Sequence, residues 1–200
     1  SGANPIAYFK DIREYLKLAA VGATLSQKAL LDVAEALKAA RVMRAALVTD
    51  REDTPILTEM GSRLTTNRNL EEEIFNAILS EEEIADRASQ DLYDIRRHMR
   101  QLGDRVRDKL NSIIRSASMA KYLQDTIITM RNDRYVVPVK AECRQFVPGL
   151  VHDQSGSGST LFIEPMAVVE VGNELKQWVL KEKQEIERIL ADFSARVAPD

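Results

Sequence analysis

The chain has 200 residues, of which 44% are hydrophobic and 30% are charged, and its formal net charge is −3. This composition is typical of a soluble folded protein, and no apolar stretch approaches the roughly 20 residues that a membrane-spanning helix needs. The single cysteine, Cys143, excludes an internal disulfide, and the two histidines lie too far apart in sequence to suggest a zinc site. We expect a cytoplasmic protein with no metal site, and the first residues do not resemble a secretory signal.

The charges are unevenly distributed along the sequence. Residues 50–86 hold eleven acidic residues against three basic ones, whereas residues 87–115 hold eight Lys or Arg against four Asp. The second stretch would suit a polyanion and the first would be repelled from it. The alternative is that both stretches are solvated faces of helices, and composition leaves this open.

Residues 1–84 show the spacing of several ordinary helices. Apolar residues recur three or four positions apart, and the strict alternation of a strand is absent. Asn69 and Ser80 are each followed within three residues by a run of glutamates, a placement that favours a helix N-terminus. The sequence therefore predicts a helical core segment that ends near Ile84.

Two longer helices are predicted in the rest of the chain. From Ile84 to about Ile127 the apolar residues form a narrow stripe without a proline, which indicates one long helix with one partner helix. Pro165 is a favoured first helical residue, and a similar stripe follows it to Val197. Matched length and periodicity predict that these helices pair antiparallel, with Trp178 packed between them.

Residues 126–164 change to short segments rich in β-branched and aromatic residues. Asn132 and Asp133 suit a two-residue hairpin turn because both tolerate positive φ. Pro138 and Pro148 are expected at edges or bulges, since proline cannot donate to a strand ladder. The predicted strands are 126–130, 135–139, 147–151 and 160–163.

The predicted fold is mainly α. It consists of a helical core piece and long antiparallel helices, with a small β module inserted at their tip. The predicted divisions are 1–84 for the core segment, 85–125 for the outgoing helix, 126–164 for the β module and 165–200 for the returning helix.

The loop from His152 to Thr160 is the most distinctive local stretch. As an ATP site it lacks the lysine of a phosphate-binding loop and precedes a strand rather than a helix. As a hydrolase site it offers His152, Asp153 and Ser155, but neighbours in one strand and turn do not normally form an aligned relay. As a hairpin loop its hydroxyl and N–H groups could contact phosphate oxygens, and a loop without any partner is an equal alternative.

The basic residues near this loop are balanced by acidic ones, which predicts weak, salt-sensitive binding to nucleic acid. The basic residues are Arg131, Arg134, Lys140 and Arg144, and the acidic ones are Asp133, Glu142, Asp153 and Glu164. Aromatic residues in short strands are usually core residues. We therefore expect Tyr135, Phe146 and Phe162 to be buried rather than to stack on bases.

Four stretches of the sequence are similar to the second branch of the bacterial MutS family, sometimes called MutS two. They are Thr129–Glu142, Val151–Pro165, Asn173–Leu175 and Glu185–Leu190. Their joined order, over roughly residues 85 to 195, gives the resemblance its specificity, whereas the first helical part is less diagnostic.

This resemblance implies a homodimeric protein in which a helical core and lever arms connect an ATPase module to a clamp that embraces nucleic acid. The resemblance also implies two kinds of partner. Branched or mismatched DNA would be bound when the protein limits recombination, and ribosomes or ribosomal RNA would be bound when it rescues collided ribosomes. ATP with Mg and a C-terminal Smr nuclease region would belong to residues outside this chain, so no cofactor and no catalytic residue are expected here. Residues 126–164 would be the clamp, and its expected backbone contacts are Arg131, Arg134, Lys140, Arg144, His152, Gln154, Ser155 and Ser157.

A different class of function stays open from the sequence. The chain could be a structural arm that docks another protein without touching nucleic acid, in which case an exposed apolar patch should replace the basic face at the tip.

Overall fold

The computed structural model describes residues 5–48 and 68–199. Its α-helices are α1 (Pro5–Ala20), α2 (Gln27–Val48), α3 (68–77), α4 (Gln90–Arg115), α5 (Ala117–Ala120) and α6 (Met166–Val197). Its strands are β1 (Thr129–Arg131), β2 (Arg134–Lys140), β3 (Gly149–Gln154) and β4 (Thr160–Pro165), and Asp86–Ala88 and Ala141–Phe146 are 3-10 helices. The predicted mainly helical fold with one small antiparallel sheet is confirmed.

The described residues form two units. Unit 1 contains the described residues up to Tyr93 and those from Lys183 onward, and unit 2 contains Asp94–Glu182. Helices α4 and α6 therefore contribute residues to both units. Each unit has its own hydrophobic core.

The core of unit 1 joins residues that are distant in sequence. Leu30 of α2 and Ile74 of α3 are fully buried there, and they share a cluster with Phe193 of α6. A buried hydrogen bond from the Leu25 N–H to Ser194 Oγ (2.7 Å) links the start of this unit to α6. This bond satisfies a polar group that would otherwise lose water without compensation.

The first glutamate run lies within α3 rather than at a capped N-terminus. Asn69, the predicted cap, is itself a helical residue. Glu71 is buried and binds the Arg41 guanidinium through both carboxylate oxygens, at 3.0 and 3.1 Å. Hydrogen bonding to Glu71 is the main cause of the raised pKa of Arg41. Residues 50–67 of the acidic window lie outside the described residues.

The second glutamate run forms a turn, so the prediction that Ser80 begins a helix is wrong. The N–H groups of Leu79 and Ser80 both bond the Glu83 carbonyl. This tight turn connects Ile78 and Ile84, which form an isolated β-bridge. Both bridged residues are buried in the core of unit 1, and their burial favours the turn over another helix.

Within unit 2, α4 and α6 run antiparallel, as predicted. Residues further along α4 contact residues nearer the start of α6. The contacts are Arg96 with Glu182 (3.0 Å), His98 stacked on Trp178 (4.3 Å between ring centroids) and Lys109 Nζ with the Ala167 carbonyl (3.4 Å). The predicted position of Trp178 between the two helices is confirmed.

The apolar stripe of α4 packs against the sheet as well as against α6. In unit 2, Leu102, Val106 and Leu110 share one core with strand residues such as Val137 and Ile163, and with residues of α6. The expectation that the stripe needs a single partner helix is therefore wrong. The sheet and the helix pair of unit 2 are held together by a common core.

The predicted helix from Ile84 to Ile127 is too long at both ends. Ser89 has extended backbone angles, and its Oγ accepts the Leu92 N–H at 2.9 Å, which makes it the N-cap of α4. Ser116 is also extended and separates α4 from the short α5. Beyond it, Leu123 forms a β-bridge with Val139, so the apolar residue that extended the stripe belongs to the sheet region instead.

The four strands form an antiparallel sheet in the order β1-β2-β4-β3. Asn132 and Asp133 have φ values of 52° and 62°, as the predicted hairpin turn requires. The conformation confirms the turn chemistry, which places β1 and β2 side by side.

The three prolines near the sheet lie at different places relative to its strands. Pro138 lies in β2, an inner strand, and pairs with Phe162 of β4 in a regular register, so the expectation of an edge or bulge position is wrong. Its carbonyl accepts from the Gln124 N–H. Pro148 directly precedes the edge strand β3. Pro165 ends β4, and α6 begins one residue after it, so its predicted place as the first helical residue is wrong.

Candidate nucleic-acid interface

The eight predicted contact residues fall into two groups at opposite ends of β2. Arg134 begins this strand and Lys140 ends it. The loop between β3 and β4, here called the serine loop, lies at the Lys140 end, because Lys140 pairs with Thr160. We call the region formed by Lys140, residues 141–146 and residues 154–160 the serine-loop end.

At the other end of β2, a buried carboxylate organises the side chains. Glu164 is 1% exposed, and its Oε2 accepts hydrogen bonds from Arg134 Nε (2.9 Å) and Nη2 (2.6 Å). Arg134 also donates from Nη1 to Asn173 Oδ1 of α6 at 2.9 Å. These bonds tie β2, β4 and α6 together, so Arg134 has a structural role that the sequence did not reveal.

His152 shares the same carboxylate. Its Nε2 lies 2.9 Å from Glu164 Oε1, and since a carboxylate oxygen accepts, the ring nitrogen is the donor. The carbonyl of His152 accepts from Asn132 Nδ2 at 2.8 Å, which fixes the hairpin turn against β3. A phosphate would have to compete with Glu164 for both Arg134 and His152.

Arg131 is partly exposed but also has internal partners. Its Nε lies 3.3 Å from Asp153 Oδ2, and its guanidinium lies 4.3 Å from the centroid of the Phe162 ring. Nη1 donates to Thr129 Oγ1 at 3.1 Å. The ion pair with Asp153 reduces the local positive charge, in keeping with the balanced count of charges in the sequence.

The serine loop is closed by its own hydrogen bonds. The Ser155 N–H donates to the Thr160 carbonyl (2.9 Å), the Thr160 N–H donates to Ser155 Oγ (3.1 Å), and the Gly158 N–H donates to the Ser155 carbonyl (2.9 Å). Ser157 Oγ lies 3.4 Å from Ser155 Oγ and 2.8 Å from Ser159 Oγ. Three serine hydroxyls of this turn therefore lie close together.

This turn lies beside the 3-10 helix Ala141–Phe146. The Ser159 carbonyl accepts from the Ala141 N–H at 3.0 Å and from Gln124 Nε2 at 3.4 Å. Arg144, on that 3-10 helix, is exposed. Among the described residues, neither Lys140 nor Arg144 forms an ion pair with a carboxylate. The structure therefore brings together five of the predicted contacts, which are Lys140, Arg144, Gln154, Ser155 and Ser157.

Sequence reasoning missed an aromatic pair in this region. Tyr135 and Phe162 are partly buried, but Phe146 is 46% exposed, so the expectation that it is a core residue is wrong. Its ring stacks on Tyr122, with 4.7 Å between the centroids and 12° between the planes. Lys121 Nζ lies 5.2 Å from the centroid of the Tyr122 ring. Because a short 3-10 helix has no extended periodicity, no sequence pattern indicates the direction of Phe146.

The two catalytic alternatives for the loop do not fit its geometry. The loop connects β3 to β4 rather than a strand to a helix, and it has no lysine, so it does not match an ATP phosphate site. His152 Nε2 bonds Glu164, while Ser155 Oγ accepts from the Thr160 N–H. Because these two side chains have different partners, they do not form a relay.

No protein-family model matches the chain. It is 49% identical over 199 residues to an endonuclease MutS2 of Alkaliphilus oremlandii, an alignment that covers 98% of this chain and 25% of that protein. It is 52% identical over 190 residues to an endonuclease MutS2 of Pelotomaculum thermopropionicum, covering 95% of this chain and 24% of that protein.

The chain belongs to the MutS2 family. It spans about a quarter of the length of the MutS2 relatives that it matches. The resemblance seen in the sequence around the hairpin and the serine loop is therefore confirmed, and the alignments extend it to the first helical part. Within residues 5–48 and 68–199, every helix is too short or too polar to cross a membrane.

Proposed function

We propose that unit 2 contacts nucleic acid in a MutS2 protein, and that its serine-loop end holds the phosphate backbone. The observation that carries this proposal is the position of Lys140 and Arg144, without carboxylate partners among the described residues, beside a turn that presents several hydroxyls. Contacts of this kind position a protein on a nucleic acid without reading its sequence.

Branched or mismatched DNA is the proposed ligand, and ribosomal RNA is a further one, because both present the same phosphate chemistry. The name endonuclease belongs to relatives about four times as long as this chain. We place nuclease activity, ATP with Mg and homodimerisation in the remainder of such a protein. In this proposal the chain itself supplies no catalytic group.

The test is a double charge reversal, Lys140→Glu with Arg144→Glu, measured by fluorescence anisotropy with branched DNA and with a ribosomal RNA fragment at low salt. The matched control is Lys38→Glu with Arg44→Glu, which changes two exposed cations of α2 by the same net charge. The proposal expects the first pair to weaken binding at least about tenfold and the control to have little effect, since close phosphate contacts dominate affinity. Equal effects of the two pairs would contradict it.

The protein-docking alternative also has an observation in its favour. Leu150 and Met166 are 45% and 57% exposed, and the Met166 N–H bonds the carbonyl of Pro148, which lies two residues before Leu150. Exposed apolar side chains of this kind suit a protein partner. Absence of binding to DNA and RNA by both this chain and a full-length MutS2 protein would favour docking.

A further inference from the structure

We infer that the exposed face of Phe146 is a stacking site for an unpaired nucleobase of the bound nucleic acid. This inference rests on the proposed function and adds a specific preference to it. A backbone contact alone would not distinguish paired from unpaired regions, whereas a stacking site would favour a ligand with a base outside the helix.

The Phe146 ring is supported on one face. Tyr122 packs against the core of unit 2, and its carbonyl accepts the Lys140 N–H at 2.9 Å. Tyr122 covers one face of the Phe146 ring, yet Phe146 remains 46% exposed. A ring fixed on one face and open on the other can receive a base with little loss of side-chain freedom.

The charges near Phe146 include an exposed carboxylate, Glu142 of the same 3-10 helix, and three cations, and the cations suit the phosphates of a nucleotide. Lys121 lies beside Tyr122, and Arg144 lies two residues before Phe146 on the same 3-10 helix. Lys140 ends the strand that leads into this helix. These cations could hold the phosphates that flank a base stacked on Phe146, because proteins that bind single strands combine aromatic rings with a positive surface.

A fluorescent base analogue, 2-aminopurine, tests this directly. It is placed at an unpaired position in a DNA fork and in an RNA of the same design, and a fully paired duplex of equal length measures backbone binding. The variants are Phe146→Leu, which removes the aromatic ring, and Phe146→Tyr, which keeps it. Tyr93→Leu is the matched control, since Tyr93 is 45% exposed and belongs to unit 1.

We expect the wild-type chain and Phe146→Tyr to change 2-aminopurine fluorescence on binding. Phe146→Leu should weaken binding of the forked ligand by about 5- to 150-fold, the range for loss of one stacked base, while duplex binding stays the same. The DNA and RNA arms show which nucleic acid supplies the base.

Two results would overturn the inference. Unchanged fork binding by Phe146→Leu, with duplex binding intact, would remove the stacking site and leave the backbone proposal standing. An equal loss of fork and duplex binding would assign Phe146 to the general surface instead. Absence of binding to every ligand by both the wild-type chain and a full-length MutS2 protein would remove the proposed function itself, and the stacking site with it.

Discussion

Arg134 and Glu164 form an ion pair with 2.6 Å between Nη2 and Oε2, and their side chains are only 11% and 2% exposed. The pair joins β2 to β4, and Asn173 extends it to α6. Removing Arg134 leaves the buried Glu164 carboxylate with the His152 hydrogen bond but no guanidinium partner, and such a poorly compensated charge is costly in a buried site. Arg134 therefore supports the sheet, whatever its part in binding.

Arg134→Ala should lower the free energy of unfolding of unit 2 by about 3–5 kcal/mol, the usual cost of breaking a buried pair. Urea unfolding followed by the fluorescence of Trp178, the only tryptophan, measures this unit. Arg131→Ala is the control, because its pair with Asp153 is 38% and 47% exposed and should contribute no more than about 1 kcal/mol. Similar losses for both variants would contradict the structural role of Arg134.

Gly149→Ala should destabilise the pairing of β3 with β4. A Cβ at this position would collide with the backbone carbonyl of Glu164, which cannot move without disturbing β4. We expect a loss of about 2–3 kcal/mol in the same urea experiment. Gly156→Ala is the control because a Cβ there meets nothing within 4 Å, and a neutral Gly149→Ala would show that the strands are not so closely packed.

The hairpin turn predicts opposite outcomes for two substitutions at Asp133, whose φ is 62°. Asp133→Val should cost about 1–2 kcal/mol, since a β-branched residue is strained in the left-handed region. Asp133→Gly should leave stability unchanged or raise it by up to about 1 kcal/mol. Thermal unfolding of both variants decides this, and equal effects would count against the turn.

The parts of the fold that depend on local chemistry were predictable from the sequence. Asn132 and Asp133 indicated the hairpin, and the stripes of α4 and α6 indicated an antiparallel pair. The ends of α4 were not predictable from its stripe, because Leu123 continues the apolar spacing while its backbone pairs with Val139. Spacing reports which residues are apolar, and tertiary contacts decide which element they join.

The site was predictable only in part, for a related reason. Charge and composition identified Lys140 and Arg144, which the structure leaves without carboxylate partners among the described residues. They could not show that Glu164, distant in sequence, binds both Arg134 and His152. The position of the Phe146 ring was not predictable for the same reason, because it stacks on Tyr122, a residue distant in sequence.

A salt titration of branched-DNA binding measures the phosphate contacts at the serine-loop end. Each contact contributes about −0.9 to the slope of log affinity against log salt concentration. The wild-type chain should show a clear negative slope, and Lys140→Ala with Arg144→Ala should reduce its magnitude by about 2. An unchanged slope in the double variant would contradict the assignment of phosphate binding to this end of unit 2.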